Sequence, residues 1–244
     1  MPGIGIGTEQ QIWESGVLNW AEFIEKHHKL PISSKRKEII NEYSKMSIDA
    51  YDNKDYSFFF NKIPMNLHWR AYDELKNKCC FLDIETTGLS KHYNDITVIG
   101  LYDGKESKLF VNGKNLDDFT NEIKKYPMIV SFNGRCFDIP FIQAKFPNLD
   151  LSRFHIDLRF AMKDIGYTGG LKRIENRIGI ERDDELKEVD GFEAVRLWRK
   201  YKKGDKSALD LLLKYNQADI ENLKGLMDFA FDRLKEKNHP LKRV

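Results

Sequence analysis

The 244-residue chain has no Cys-X-X-Cys pair, no apolar run long enough to cross a bilayer and no excess of one charge. Each absence removes a class of function. Its cysteines are Cys79, Cys80 and Cys136. Neighbours in an extended segment point to opposite faces, so Cys79 and Cys80 cannot bridge one another, and three thiols without motif spacing argue against a zinc site. The expectation is a reduced chain with small buried thiols. A membrane helix needs about 20 apolar residues, so a soluble, cytoplasmic protein without membrane contact is expected. Lys and Arg number 40 against 38 Asp and Glu, a net charge of +2. That balance neither predicts nor excludes a polyanion ligand, because a basic groove can lie beside an acidic site without changing the total.

What is present is material for a core. Apolar residues make up 41% of the chain, with 16 Phe, 10 Tyr and 4 Trp, which argues against broad disorder. The length suits one large core, or a domain of about 150 residues with a smaller attachment. Residues 1–66 read as a small helical leader and 67–244 as the main domain. In the leader, Thr8 is placed to cap a helix through Trp13 that Gly16 stops, and a second helix carries Trp20, Phe23 and Ile24. Ser34 is placed to cap Lys35–Met46, and the aromatic run Tyr56–Phe60 reads as packing on the main domain. A further helix is expected near Leu67–Lys76.

From Cys79 the texture changes. Strands are expected at Cys79–Ile84, Ile96–Tyr102, Lys108–Val111, Met128–Phe132 and Phe154–Leu158, with a tight turn at Asp103-Gly104. Helices are expected at Leu116–Tyr126, Ile139–Phe146, Gly170–Arg177, Gly191–Lys203, Ala208–Asn216 and Asp219–Lys237. Three strands joined by short turns, followed by alternating helix and strand, imply a mixed α/β sheet covered by helices.

Three segments carry acidic chemistry. Asp83 and Glu85 close the first strand two residues apart, so both carboxylates share a face and Ile84 turns away. Hard divalent cations need such clustered oxygens, although the same pair also suits a solvated strand end. Asp138 falls where a helix begins and fits either a cap or the same sheet edge. Tyr215 and Asp219 are four residues apart. On a continuous helix they share one face, whereas a break near Asn216 would leave Asp219 as a cap. Together the carboxylates can hold two divalent ions that activate water and stabilise a leaving oxygen in phosphodiester cleavage.

The segments FLDIETTGL at 81–89, SFNGRCFDIPF at 131–141 and YNQADIENL at 215–223 resemble the three exonuclease motifs of the DEDD superfamily, most closely the YprB type of RNase H-like exonuclease. HIDLR at 155–159 and GGLKRIENRIGIER at 169–182 are similar to segments which that family carries between its second and third motifs. The resemblance implies an RNase H-like fold with a five-stranded mixed sheet flanked by helices. The first three strands would be antiparallel, and the fourth and fifth parallel to the first. It further implies Asp83, Glu85, Asp138 and Asp219 as ligands of two Mg²⁺ or Mn²⁺ ions, and 3′ to 5′ hydrolysis of DNA or RNA. Lys214, rather than histidine, precedes Tyr215, which matches the tyrosine-type (DEDDy) pattern. The phenol would then orient the attacking water, its ordinary pKa being too high for an easy base at pH 7.

Asp157 stands as a candidate fifth carboxylate or supporting residue, and His155 reads as structural. The start of the chain resembles part of a helix-hairpin-helix motif that lacks its first helix, so it fits duplex binding or packing. Phosphate contacts are expected from Thr86, Asn133, Gly170, Lys172 and Arg173, and from Lys202 and Lys203 in the strongest basic run. Trp69 and Trp198 read as helix anchors. The partner implied is a single-stranded or 3′-end-containing nucleic acid, and no protein partner is evident. A structure-specific endonuclease and an inactive binding module are the rival readings.

Overall fold

The computed structural model describes residue 1 and residues 4–187 and 191–238. Pro2 and Gly3, from the glycine-rich start read as hairpin-like, lie outside the described residues. The chain forms two compact units, 1–68 with 235–238, and Trp69–Leu234.

In the N-terminal unit, α1 (Ile6–Glu14) begins from Gly5, not at Thr8, which is buried within the helix. Gly16 ends the helix region with a φ of 75°, the left-handed conformation that glycine adopts at little cost. Asn19 caps α2 (Trp20–Lys26) by accepting the Glu22 N–H at 2.9 Å. The helix α3 spans Ser34–Asp52, longer than expected, and Ser33, not Ser34, stands at its cap position. Ile12, Val17, Phe23, Leu30 and Ile40 form the unit's core. The aromatic run is α4 (Tyr56–Phe60), where Phe59 stacks on Trp20 with ring centroids 5.8 Å apart.

The larger unit opens with a 3₁₀ turn and α5 (Tyr72–Leu75). Its five strands are β1 (Cys79–Thr86), β2 (Ile96–Tyr102), β3 (Ser107–Val111), β4 (Met128–Ser131) and β5 (Phe154–Asp157), in spatial order β3-β2-β1-β4-β5. β1–β2 and β2–β3 pair antiparallel, while β1–β4 and β4–β5 pair parallel. This is the RNase H-like α/β arrangement expected from the sequence. The helical stretch expected at 116–126 is broken, because α6 retains only Phe119–Glu122 between two 3₁₀ turns. It still buries Leu116, Phe119 and Ile123 against the sheet. The helix α7 runs Asp138–Lys145, and α8 (Leu158–Asp164) was not anticipated, since its start looked like the end of β5. Asp157 caps α8 through the Arg159 N–H at 3.1 Å. Then come α9 (Leu171–Ile178), α10 (Asp184–Lys187), α11 (Gly191–Lys202) and α12 (Lys206–Asn238).

The two helices expected at the end are one, because no glycine or proline interrupts 206–224 and buried residues recur at helical spacing. Tyr215 and Asp219 therefore share a face of a continuous helix.

Alternation along β1 sends Cys80, Leu82 and Ile84 into a core with Phe141 and Ile142 of α7. Asp83 and Glu85 consequently face the opposite side, towards α12. A second cluster, including Val98, Leu197, Trp198, Leu212 and Tyr215, packs α11 and α12 on that side. Trp198 is buried in this cluster, while Trp69 is buried beside Phe231. Gly100 of β2 pairs with Asp83, and a Cβ there would overlap the Asn216 side chain of α12. Glycine is required because helix and sheet meet without room for a methyl group. Gly100→Ala should therefore cost about 1–3 kcal/mol through overpacking. A lowered melting temperature by circular dichroism checks this, and an unchanged one would contradict it.

Candidate functional site

Asp83 and Glu85 reach one point from β1, and Asp219 reaches it from α12, where carboxylate oxygens from all three lie within 4.8 Å of one another. Between Glu85 and Thr86 the pairing with β2 slips by one residue, a bulge that re-aims the strand end next to the site. Asn216, one turn before Asp219, donates from Nδ2 to Asp83 Oδ2 at 2.8 Å. Asp138 occupies the first turn of α7 and is 3% exposed. It is not part of the close triad, although Asp219 and Asp157 both act on it electrostatically.

Burial drives the electrostatics. It pushes Asp83 and Glu85 well above the usual carboxylate range, and Asp219 raises both further. Asp138 is pushed up to about 7, chiefly by burial, against the pull of its own amide and that of Ile84. Asp219 is pushed up to about 6, again by burial, with Arg182 opposing. Clustered hard oxygens that repel one another when ionised suit a divalent cation of the Mg²⁺ or Mn²⁺ kind.

The phenol of Tyr215 is 8% exposed, and burial followed by the charges of Asp219 and Glu85 raises its pKa. It stays protonated at neutral pH. Lys172 Nζ lies 5.1 Å from its ring centroid and also donates to the Leu186 carbonyl at 3.2 Å.

Asp157 has a different use. Its Oδ1 accepts from Asn133 N (2.8 Å) and Arg159 N (3.1 Å), and its Oδ2 from Arg135 N (3.1 Å). Both oxygens thus brace the turn that leads into Asp138. Asn133 has a φ of 65° there, and its side-chain oxygen takes the Arg159 guanidinium at 2.7 Å. Gly134 follows because a Cβ would strike Ser131 Oγ, which pairs with His155 Nε2 at 2.8 Å.

The same turn lines an open cleft of about 850 Å³ with Phe132, Arg159, Phe160, Lys163 and the Gly169-Gly170 start of α9. Phe160 is 46% exposed there. Cys136 also lines it and is exposed, unlike the two buried strand cysteines, so the expectation of buried thiols fails at this position. Gly170 is the N-cap of α9, and the Arg173 side chain lies against Gly169. Thr86 is buried and spends its hydroxyl on the Gly88 carbonyl at 2.7 Å. Lys202 and Lys203 are exposed at the end of α11.

Two charged residues at the site went unnoticed in the sequence. Arg182 Nη1 is 2.5 Å from Asp219 Oδ1, an ion pair. Glu175, fully buried, takes the other side of that guanidinium, with Oε2 to Nε at 2.7 Å and Oε1 to Nη2 at 2.8 Å. Both belong to the 169–182 segment, whose likeness to a family was visible but whose charge pairing was not.

The raised carboxyl pKa values set a direction with pH. The native state keeps protons on Asp138 and Asp219 that an unfolded chain, with ordinary values near 4, has lost. Stability from these groups is therefore fully present below about pH 4 and is lost progressively as pH rises through 6 to 7. In EDTA, Asp138→Asn should melt above the wild type at pH 8 and close to it at pH 4. A constant difference across that range would contradict the assignment.

A family model described as RNase_H superfamily matches residues 80–231, more than half of the chain. No curated protein matches the sequence. Among solved structures, Brucella melitensis NrnC is similar at 18% identity and a TM-score of 0.48, covering 70% of this chain and 80% of that one. The family B DNA polymerase of Pyrobaculum calidifontis is similar at 16% and 0.48, over 65% of this chain and 24% of that one. Escherichia coli RNase D, an exoribonuclease involved in structured RNA processing, is similar at 15% and 0.41, over 72% and 48%. With residues 80–231 matched and a five-stranded mixed sheet, this chain belongs to the RNase H superfamily, as a nuclease-type hydrolase fold with a clustered acidic site.

Proposed function

We propose that the protein is a metal-dependent 3′ to 5′ exonuclease of the tyrosine-type DEDD group, similar to the YprB type, acting on DNA or RNA. The observation that carries this reading is the triad of Asp83, Glu85 and Asp219 with Tyr215 on the same helix face as Asp219. Asp138 completes the carboxylate set, and Asp157 is assigned to bracing its turn rather than to metal.

The donor set fits the ions: oxygen only, closely spaced and largely withdrawn from water. Asp83, Glu85, Asp138 and Asp219 would hold Mg²⁺ or Mn²⁺, two ions being expected. When bound, such ions lower the pKa of water and offset charge on the leaving oxygen. The chain's own residues supply position. Asn216 fixes the Asp83 carboxylate, and the protonated Tyr215 can donate a hydrogen bond that orients a water for in-line attack. Phosphate and base contacts are assigned to the cleft through Asn133, Gly170, Arg159 and Phe160, and to Lys172 and Arg173 in the helix that starts at its edge. An exposed phenyl ring beside guanidinium and ammonium groups suits stacking of an unpaired base above a tracked backbone. Thr86 lies next to the triad, and Lys202 and Lys203 would extend the basic track.

The test is a time course on 5′-labelled single-stranded DNA and RNA with Mn²⁺ or Mg²⁺. A ladder shortening from the 3′ end is expected for the wild type and no product for Asp83→Ala. Tyr215→Phe should keep the ladder but slow it, on the order of tenfold to a hundredfold, as expected when an attacking group loses its alignment. Internal cuts would replace the exonuclease reading with the endonuclease one. Metal-independent binding without cleavage would favour a binding module.

A further inference from the structure

The Arg182 side chain is 5% exposed and joins two carboxylates from different helices. Glu175 of α9 grips it in two parallel contacts of 2.7 and 2.8 Å, which fixes the plane of the guanidinium. Asn222, one turn beyond Asp219 on α12, donates to the same Glu175 at 3.2 Å. The remaining Nη1 is thereby aimed at Asp219 Oδ1, 2.5 Å away. A guanidinium does not lose its proton in a protein, so this positive charge is permanent. It sits on a member of the carboxylate triad, where a divalent cation would also have to sit.

We propose that Arg182, clamped by Glu175, is a built-in counter-cation for Asp219 that holds the carboxylate site together without metal and competes with a divalent ion for that carboxylate. The inference rests on the divalent-metal reading of the site. Binding of an ion then either shares Asp219 with the guanidinium or displaces it. Arg182 in this view is a positioning residue, setting metal affinity and not touching substrate.

The test uses Mn²⁺ alone with the full chain, read by isothermal titration calorimetry and thermal melting. Relative to wild type, Arg182→Gln should melt lower in EDTA, gain more from saturating Mn²⁺ and bind Mn²⁺ about tenfold more tightly. Arg182→Lys, which keeps the charge without the two-point grip, should fall between them. Because Arg182→Gln leaves Glu175 buried and unpaired, Glu175→Gln/Arg182→Gln removes both charges and decides the matter if the single variant does not fold. Equal or weaker Mn²⁺ binding in these variants, with the same thermal gain as wild type, would overturn the inference and leave the metal site standing. Absence of Mn²⁺ binding in wild type and variants alike would overturn the metal reading itself, and the inference with it.

Discussion

How closely α12 lies against β1 governs the rest of the site. The approach is permitted at Gly100, where the missing Cβ lets Asn216 reach across β2 to Asp83. With that contact made, Asp219 arrives one turn later beside the two strand carboxylates. A methyl group at Gly100 would strike the Asn216 side chain that holds Asp83, on the same helix as Tyr215 and Asp219. The packing of one pair of elements is therefore also the geometry of the chemistry.

That geometry gathers negative charge out of water, which the fold offsets with aimed donors rather than with solvent. Asn216 donates to Asp83, the amides of Asp138 and Ile84 act on Asp138, and Arg182 faces Asp219. The supporting carboxylates, Asp157 and Glu175, are treated differently. Each has both oxygens engaged by donors that face it. The acidic residues thus divide into those whose partners are complete within the protein and those left strained by their neighbours. The strained group is the one a cation would relieve.

The strands of the sheet were legible because the signals are local. The continuous apolar runs of β1 and β2, the Asp103-Gly104 turn and the position of Asp138 at a helix start are written in short stretches. The shared face of Tyr215 and Asp219 was legible only conditionally, since it depended on whether the helix breaks, which packing decides. Asp157 was open between a fifth carboxylate and a supporting residue, because it shares one strand face with His155. Its engagement by three amides depends on the turn at 133–135, which β4 and β5 bring alongside it. Arg182 was hidden for the same reason: its partners are 7 residues away at Glu175 and on another helix at Asp219.

The reach of the Asn216–Asp83 contact, 133 residues apart in sequence, bears on how the chain acquires its site. Long-range pairings form against a larger loop-closure entropy than hairpins, and a chain synthesised from its N-terminus folds in that order. A nascent chain carries Asp83 and Glu85 well before the residues of α12 exist to cover them. Until then the two carboxylates face water, where they ionise without strain. Docking of the last long helix is thus the event that turns an ordinary solvated strand end into a buried acidic centre.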